Sequence, residues 1–176
     1  MLIFAKRQRG KRLMRTFVLA ADHGGFNLKQ VMLKALAERF PDYKFIDLGC
    51  HDTSSVDYPD YAALACREVL ANKAEAAILF CGTGIGISIA ANKLAGIRCA
   101  HLSDCYSANK CKEHNNANAI SLGGRVIGED LALEIITAYL NAKFQGDRHA
   151  RRIAKITALE QEFAKQTETE TVCRHC

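Results

Sequence analysis

The chain has 176 residues, 49% of them hydrophobic and 24% charged, a balance typical of one globular domain with its own core. It contains no run of about 20 apolar residues, which argues against a membrane-spanning helix, and its 12 glycines and 2 prolines exclude a collagen-like or low-complexity chain. The net charge of +5 comes from the first fifteen residues, which hold six basic side chains and no acidic one; the remainder has 18 basic and 19 acidic residues and does not favour a nucleic-acid surface.

The basic N-terminal extension, residues 1–15, comes before the first predicted element. Its apolar start is shorter than the about 7–15 residues of a secretory signal core, so export is not expected. The segment is rich in arginine and free of acid, as transit peptides are, but it is very short and lacks serine. We favour a third interpretation, in which Met14 is the functional start, because the first strand begins near Thr16. A short charged terminus of this kind is typical of a solvated tail, although it could also contact an anion.

The first half of the chain alternates short apolar runs with stretches of helical periodicity. In chain order it predicts a strand at residues 16–21, a turn at 22–25, a helix at 26–40, a strand at 43–48, a polar loop at 49–56 and a helix at 58–72 with Asp57 as a candidate N-cap.

The second half repeats this alternation and ends in a polar tail, residues 166–176. Before the tail it predicts a fully apolar strand at residues 76–81, a glycine loop at 82–86, a helix at 87–94, a strand at 97–102, a helix at 104–114 capped by Ser103 or Asp104, a strand at 118–122, a turn at 123–125, a helix at 129–141, a loop at 144–147 and a helix at 149–165.

Five strands that alternate with helices predict an α/β fold, in which a parallel sheet lies between two layers of helices. The chain shows neither an internal repeat nor a linker, so residues 16–165 are expected to form a single domain. In such sheets the ligand lies beyond the carboxyl ends of the strands. This rule brings together Asp22, His23, residues 81–86, Asp104 and residues 123–125.

The strongest motif of the sequence follows the third predicted strand and consists of Cys81, Gly82, Thr83, Gly84, Ile85 and Gly86. A glycine loop between a buried strand and a helix presents backbone N–H groups to an anion or an oxyanion. Donors of this kind also stabilise a thiolate, so Cys81 is a candidate base or nucleophile. Burial as an inert apolar side chain is the alternative for Cys81.

The same loop does not fit a dinucleotide-binding fingerprint. Its glycines are spaced G-x-G-x-G rather than G-x-G-x-x-G, and Ile87 occupies the place of the third glycine. The loop also follows the third predicted strand rather than the first. A nicotinamide-dependent dehydrogenase is therefore disfavoured, although Asp104 lies about where an acid for a ribose would be.

Two further groups of residues have chemistry suited to a phosphorylated substrate. Arg148 and Arg152 lie four residues apart, so they share a helix face on which two guanidinium groups can bind a phosphate; a solvated charge run is the alternative. Arg125, after a Gly-Gly turn, is a third candidate. His114 precedes a polar, turn-forming segment and can exchange protons near neutral pH, as can His23.

The remaining histidines, His51, His101 and His175, have no such context, and we expect them to be structural or solvated. The eight cysteines are expected to be reduced thiols in a cytoplasmic protein, because the size of the chain does not require disulfides and no export signal precedes it. Cys173 and Cys176 resemble half of a zinc site, but no second pair has matching spacing, so no metal is expected.

A thiol base, an oxyanion loop, a histidine and a phosphate clamp together suit proton abstraction beside the carbonyl of a phosphorylated sugar. The motifs that carry this chemistry, residues 21–26, 56–62, 81–93, 114–118, 123–125 and 148–153, resemble in this order the family of type B ribose-5-phosphate isomerases and galactose-6-phosphate isomerases. The resemblance extends from about residue 16 to residue 162. The N-terminal extension and the Cys173–Cys176 end fall outside it.

The resemblance implies a Rossmann-like five-stranded parallel sheet and the interconversion of ribose 5-phosphate and ribulose 5-phosphate, a step of the non-oxidative pentose phosphate pathway. It implies no metal and no organic cofactor. Members of this family are homodimers or homotetramers with shared active sites, so His114, Asn115 and Arg125 would come from the neighbouring subunit. The charge and the hydropathy of the sequence, rather than the resemblance, argue against a nucleic-acid partner and a membrane partner.

The family also implies a role for each matching residue. Cys81 would move the proton between C1 and C2, and His114 would assist opening of the sugar ring. Thr83 and the N–H groups of residues 82–86 would hold the enediolate oxygen. The sugar would contact Asp22, His23, Tyr58 and Asn115. The phosphate would be held by Arg125, Arg148 and Arg152.

Two alternatives remain open at the level of sequence. The first is a galactose-6-phosphate or allose-6-phosphate isomerase of the same family; the presence of both Cys81 and His114 favours the five-carbon sugar, and pocket depth would decide. The second is a non-catalytic module that binds an anion or a nucleic acid through residues 148–152 and the N-terminal extension. The near-neutral charge of the chain after residue 15 argues against this alternative.

Overall fold

The computed structural model describes residues 14–173, with side chains as far as Ala164. In chain order the elements are β1 (Arg15–Ala21), α1 (Phe26–Arg39), β2 (Tyr43–Asp47), α2 (Tyr58–Leu70), β3 (Ala76–Cys81), α3 (Ile85–Ala91), β4 (Cys99–His101), α4 (Cys105–Asn115), β5 (Ala119–Gly123), α5 (Glu129–Asn141) and α6 (Asp147–Cys173). None of the helices in this part of the chain is both long enough and apolar enough to cross a membrane.

The five strands form one parallel sheet in the order β2-β1-β3-β5-β4. β3 lies at the centre, and all six of its residues are buried, as expected for a strand covered on both faces. The register pairs Leu19 with Ile78 and Ile78 with Ile120. The predicted α/β sandwich with a parallel five-stranded sheet is therefore confirmed.

Alternate residues of each strand supply two separate hydrophobic cores, because successive side chains of a strand point to opposite faces of the sheet. One core joins Phe17, Ile78 and Ile120 to helices α1, α4 and α5. The other joins Val18 and Leu79 to helices α2 and α3. This packing fixes the positions of both ends of every strand, including the loops that follow the carboxyl ends.

Several predicted boundaries differ from the observed ones. β4 covers only Cys99–His101, because as an edge strand it has β5 as its single partner. α3 begins at Ile85 rather than residue 87, directly after Gly84 in the left-handed conformation. α6 continues through the predicted tail to Cys173. Asp104 caps α4 by accepting a hydrogen bond from the Ser107 N–H, whereas the Asp57 side chain makes no capping bond.

Candidate active site

Cys81 is the last residue of β3 and is 3% exposed. The chain turns sharply after it, and Gly84 adopts a φ of 79°, a conformation that favours glycine. This turn aims the Gly84 N–H at the sulfur, to which it donates a hydrogen bond of 3.1 Å. A buried sulfur that accepts an N–H bond is suited to carrying negative charge during a reaction.

Three turns at the carboxyl edge of the sheet approach one another closely. A β-carbon on Gly24 would lie 2.9 Å from the backbone nitrogen of Gly82, and one on Gly124 would lie 2.8 Å from the carbonyl oxygen of Gly24. Real Cβ contacts are longer, so only glycine allows this approach. Asp22 stabilises the first turn, since its Oδ1 accepts the Gly25 N–H at 3.0 Å.

Tyr58 lies against the Cys81 loop, and His23 belongs to the turn after β1 that approaches Gly82. Nδ1 of His23 accepts a hydrogen bond of 3.2 Å from the Val56 N–H, so in the neutral ring the hydrogen is on Nε2. The Tyr58 ring covers Gly86, where a β-carbon would lie 2.9 Å from Cζ of the tyrosine. Both side chains can therefore face a substrate beside the loop.

An ion pair between the buried Lys29 and the partly exposed Asp47 supports the loop that leads to Tyr58. The ammonium group of Lys29, wholly buried, donates to the Asp47 carboxylate and, at 2.7 Å, to the Cys50 carbonyl. Burial by itself would raise the pKa of Asp47, but the hydrogen bonds from Lys29 and from the Gly49 N–H hold that pKa below its ordinary value. The Asp47 carboxylate is therefore ionised at neutral pH, and its bond to Lys29 fixes the end of β2 against α1.

Arg125 lies against the Cys81 loop of its own chain. Its backbone N–H donates to the Gly82 carbonyl at 3.0 Å. Its side chain covers Gly82, where a β-carbon would lie 3.7 Å from both Cδ and Nη1 of the arginine. The expectation that Arg125 reaches the site from a neighbouring subunit is thus corrected, because the turn at residues 123–125 places it beside its own Gly82.

His101 also belongs to this site, contrary to the expectation that it is structural or solvated. It ends β4, and its Nε2 lies 2.9 Å from the carbonyl oxygen of Thr83. The rule that selected the other residues at the carboxyl edge could have identified it. The predicted strand was one residue too long at this end, which moved His101 away from the edge.

A second cluster joins the end of α4 to the start of α6. The rings of His114 and His149 are stacked, with centroids 4.3 Å apart and an angle of 5° between the planes. Nε2 of the buried His149 accepts a hydrogen bond of 3.3 Å from Nε of Arg148. Burial lowers the pKa of His149, and the positive charges of His114, Arg148 and Arg152 lower it further. His149 was not among the predicted site residues.

The two clusters lie at opposite ends of the strands. The Cys81 loop follows the carboxyl ends, whereas His114 lies near the amino ends. α4 starts beyond the carboxyl end of β4 and returns to the amino edge, where Arg98, directly before β4, donates to the carbonyls of Asn115 at 3.2 Å and Asn116 at 2.9 Å. His114 is therefore separated from Cys81 by the length of the sheet. One chain alone does not bring the two residues together.

No group of three metal-ligating side chains occurs within residues 14–164. The Cys173–Cys176 pair, which resembles half of a zinc site, lies outside the residues whose side chains the structure describes.

A family model described as Ribose/Galactose Isomerase matches residues 17–156. Ribose-5-phosphate isomerase B of Escherichia coli is 43% identical over 148 residues, which is 84% of this chain and 98% of that protein. A putative sugar phosphate isomerase of Bacillus subtilis is 44% identical over 144 residues, or 81% and 95% of the two chains. The structure of Clostridium thermocellum ribose-5-phosphate isomerase B, 45% identical, superposes with a TM-score of 0.81 over 84% of this chain and 99% of that one.

Proposed function

From the premise that this chain belongs to the ribose/galactose isomerase family, we propose that it interconverts ribose 5-phosphate and ribulose 5-phosphate. The observation that carries the proposal is the buried Cys81 sulfur, held by the Gly84 N–H at the carboxyl edge of the sheet. An aldose and its ketose differ in the positions of two protons: one moves from C2 to C1, and the other moves from the C2 hydroxyl to the C1 oxygen, so that the carbonyl shifts from C1 to C2. The thiolate of Cys81 takes the proton from C2 of the open-chain sugar, and the resulting thiol returns it to C1.

The intermediate of this transfer is an enediolate, whose oxygen needs hydrogen-bond donors as its charge develops. The N–H of Gly84 already donates to the sulfur, and that of Ile85 donates to Oγ1 of Thr83 at 3.3 Å. We therefore assign the enediolate oxygen to the N–H groups of Gly82, Thr83 and Gly86. One such donor contributes about 10²–10³ in rate.

The separation of the two clusters supports an active site formed by two copies of the chain. One copy supplies the Cys81 loop, Arg125 and the sugar contacts Asp22, His23 and Tyr58. The second copy supplies His114 for ring opening, Asn115 for the sugar, and Arg148 and Arg152 for the phosphate. A homodimer is the smallest assembly that meets this requirement, and a homotetramer of such dimers meets it equally.

The proposal also covers the bounds of the domain, the cellular compartment and the independence of the reaction from metal ions. The isomerase domain includes Arg15, the first residue of β1, and we expect it to end near residue 165, although α6 itself continues to Cys173. Residues 1–14 and residues 166–176 stay predicted as an extension and a tail. The eight cysteines suit the reducing cytoplasm. The reaction is assigned to the chain's own residues, so we expect it to proceed in the presence of EDTA.

A comparison of three substrates tests the activity. The purified full chain is assayed with ribose 5-phosphate, galactose 6-phosphate and allose 6-phosphate, with EDTA present throughout. We expect the highest kcat/KM for ribose 5-phosphate. A preference for either hexose phosphate would assign the chain to the other branch of the family, and no turnover of any of them would overturn the proposal.

Replacement of the base gives a sharper test. We expect Cys81→Ala to lose at least about 10²–10⁴ in kcat, because an aligned general base contributes that much, while ribose 5-phosphate still binds in calorimetry. Cys105→Ala is the matched control, since Cys105 lies in the first turn of α4 and takes no part in the loop. A folded Cys81→Ala protein with the kcat of the unaltered chain would refute the assignment.

A further inference from the structure

The carbonyl of Thr83 and the N–H of Gly84 belong to one peptide group, and each end of that group has a partner. The carbonyl oxygen lies 2.9 Å from Nε2 of His101. The N–H donates to Sγ of Cys81 at 3.1 Å. A carbonyl oxygen can only accept, so Nε2 of His101 carries the hydrogen of this bond. One peptide plane thus connects an imidazole on the edge strand to the sulfur on the central strand.

We propose that His101 is a positioning residue for Cys81: it holds the Thr83–Gly84 peptide group in the orientation that stabilises the thiolate. The role of that thiolate as the base rests on the proposed isomerase function. The effect on the sulfur itself does not, because it follows from the hydrogen bonds alone.

The packing of the loop leaves this peptide group little freedom. The His101 ring also contacts Gly84, where a β-carbon would lie 2.8 Å from Cδ2 of the histidine. On the other side of the same residue, the buried hydroxyl of Ser121 donates to the Gly84 carbonyl at 2.9 Å. Strands β4 and β5 therefore each supply one donor to successive carbonyls of the loop.

Hydrogen bonds in series strengthen one another, because a donor on the carbonyl polarises the whole peptide group. The His101 bond makes the Gly84 N–H a better donor to a negatively charged sulfur than it would otherwise be. Two other charged groups act on the same loop: the Arg125 guanidinium beside Gly82, and the Asp22 carboxylate, whose Oδ1 would lie 3.3 Å from a β-carbon on Gly24. Both remain in place when only His101 is changed, so a His101 variant isolates this contribution.

The test measures the reactivity of the Cys81 thiolate directly. The full chain and the variants His101→Leu and His101→Gln are treated with iodoacetamide between about pH 6 and pH 9, and modification of the Cys81 peptide is followed by mass spectrometry. We expect His101→Leu to slow modification of the Cys81 thiol at pH 7 by about threefold to tenfold, the effect of losing one hydrogen bond. Glutamine can donate from a similar position, so His101→Gln should recover part of the rate.

Enzyme kinetics and a control variant separate this role from a structural one. In His101→Leu we expect kcat with ribose 5-phosphate to fall and KM to change little, since Arg125 is untouched. His51→Leu removes a histidine outside the Cys81 loop and should leave the modification profile unchanged. If His101→Leu does not fold, His101→Ala takes its place.

The outcomes for the inference and for the isomerase activity are distinguishable. A Cys81 modification profile in folded His101→Leu that equals that of the original chain would overturn the positioning role, whatever the activity. A shifted profile in a protein that isomerises no sugar phosphate would support the role of His101 and refute the proposed function.

Discussion

At the scale of single residues, the surroundings of each sulfur distinguish the cysteines. Burial raises the pKa of Cys66 to about 11 and the pKa values of Cys99 and Cys111 to about 12, so these thiols stay protonated at neutral pH and pack as apolar side chains. Cys81 is also buried, but its sulfur accepts an N–H hydrogen bond.

The stacked histidines lead to a prediction about stability and pH. The pKa of His149 is lowered by burial and by nearby positive charges, so protonation favours the unfolded chain. The contribution of neutral His149 to the unfolding free energy is fully present above the ordinary histidine pKa of about 6.5, and it is lost as the pH falls below that value. His149→Phe keeps an aromatic ring against His114 but cannot be protonated. We therefore expect its unfolding free energy to decrease less between about pH 8 and pH 5 than that of the original chain.

Urea unfolding at several pH values measures this difference. The same decrease in both proteins would mean that His149 is charged in the folded state, contrary to the stacked arrangement.

At the scale of secondary-structure elements, the packing of α1 on β3 depends on Gly25. A β-carbon at this position would lie 2.5 Å from the carbonyl carbon of Phe80, so Gly25→Ala requires the backbone to move. We expect a loss of about 1–3 kcal/mol or more in unfolding free energy. Gly128→Ala is the matched control, because a β-carbon there meets nothing within 4 Å, and we expect it to change stability by about 0.5 kcal/mol or less.

Urea titration followed by circular dichroism compares the two alanine variants. Equal stabilities would show that α1 can shift on the sheet without cost.

The elements predicted best are those whose burial leaves a clear pattern of apolar residues in the sequence. The sequence predicted β3 and α5 with their observed bounds, because a strand covered on both faces is apolar throughout and α5 has a regular apolar stripe. The predicted length of β4 was too great. The length of this strand depends on its place at the edge of the sheet, which is set by the topology and not by the local sequence pattern. α6 extends beyond its prediction because a polar segment shows no break that would end a helix.

At the scale of the whole molecule, a single chain contains two separate parts of the proposed active site, one around Cys81 and one around His114. The sequence identified Cys81 and His114 from motifs but could not show that the sheet separates them, because motif order contains no distances. The rule about carboxyl ends of strands placed Arg125 beside the Cys81 loop and could have placed His101 there, but it does not show which atoms are in contact, since that depends on which strands and turns become neighbours.

A shared site predicts complementation between inactive subunits. Cys81→Ala and His114→Ala are each expected to be inactive as homodimers. When the two are unfolded together and refolded, half of the dimers are mixed, and each mixed dimer has one intact site, so about a quarter of the original activity should return. The measurement is the isomerase rate at equal total protein.

Mixing Cys81→Ala with the double variant Cys81→Ala/His114→Ala serves as the control and should restore nothing. Absence of recovery in the first mixture, with mixed dimers detected by mass spectrometry, would place the complete site in one chain.

The short outer strands of the sheet limit aggregation with other polypeptides in a concentrated solution. β4 has three residues and β2 has five, so the margins of the sheet present few unpaired backbone groups. An extended peptide gains little by pairing with so short a strand, and Lys44, the second residue of β2, adds a charge that such a pairing would have to accommodate. The most apolar strand lies at the centre, where both of its sides are already paired. The architecture that supports the active site thereby also protects the chain against fibre formation.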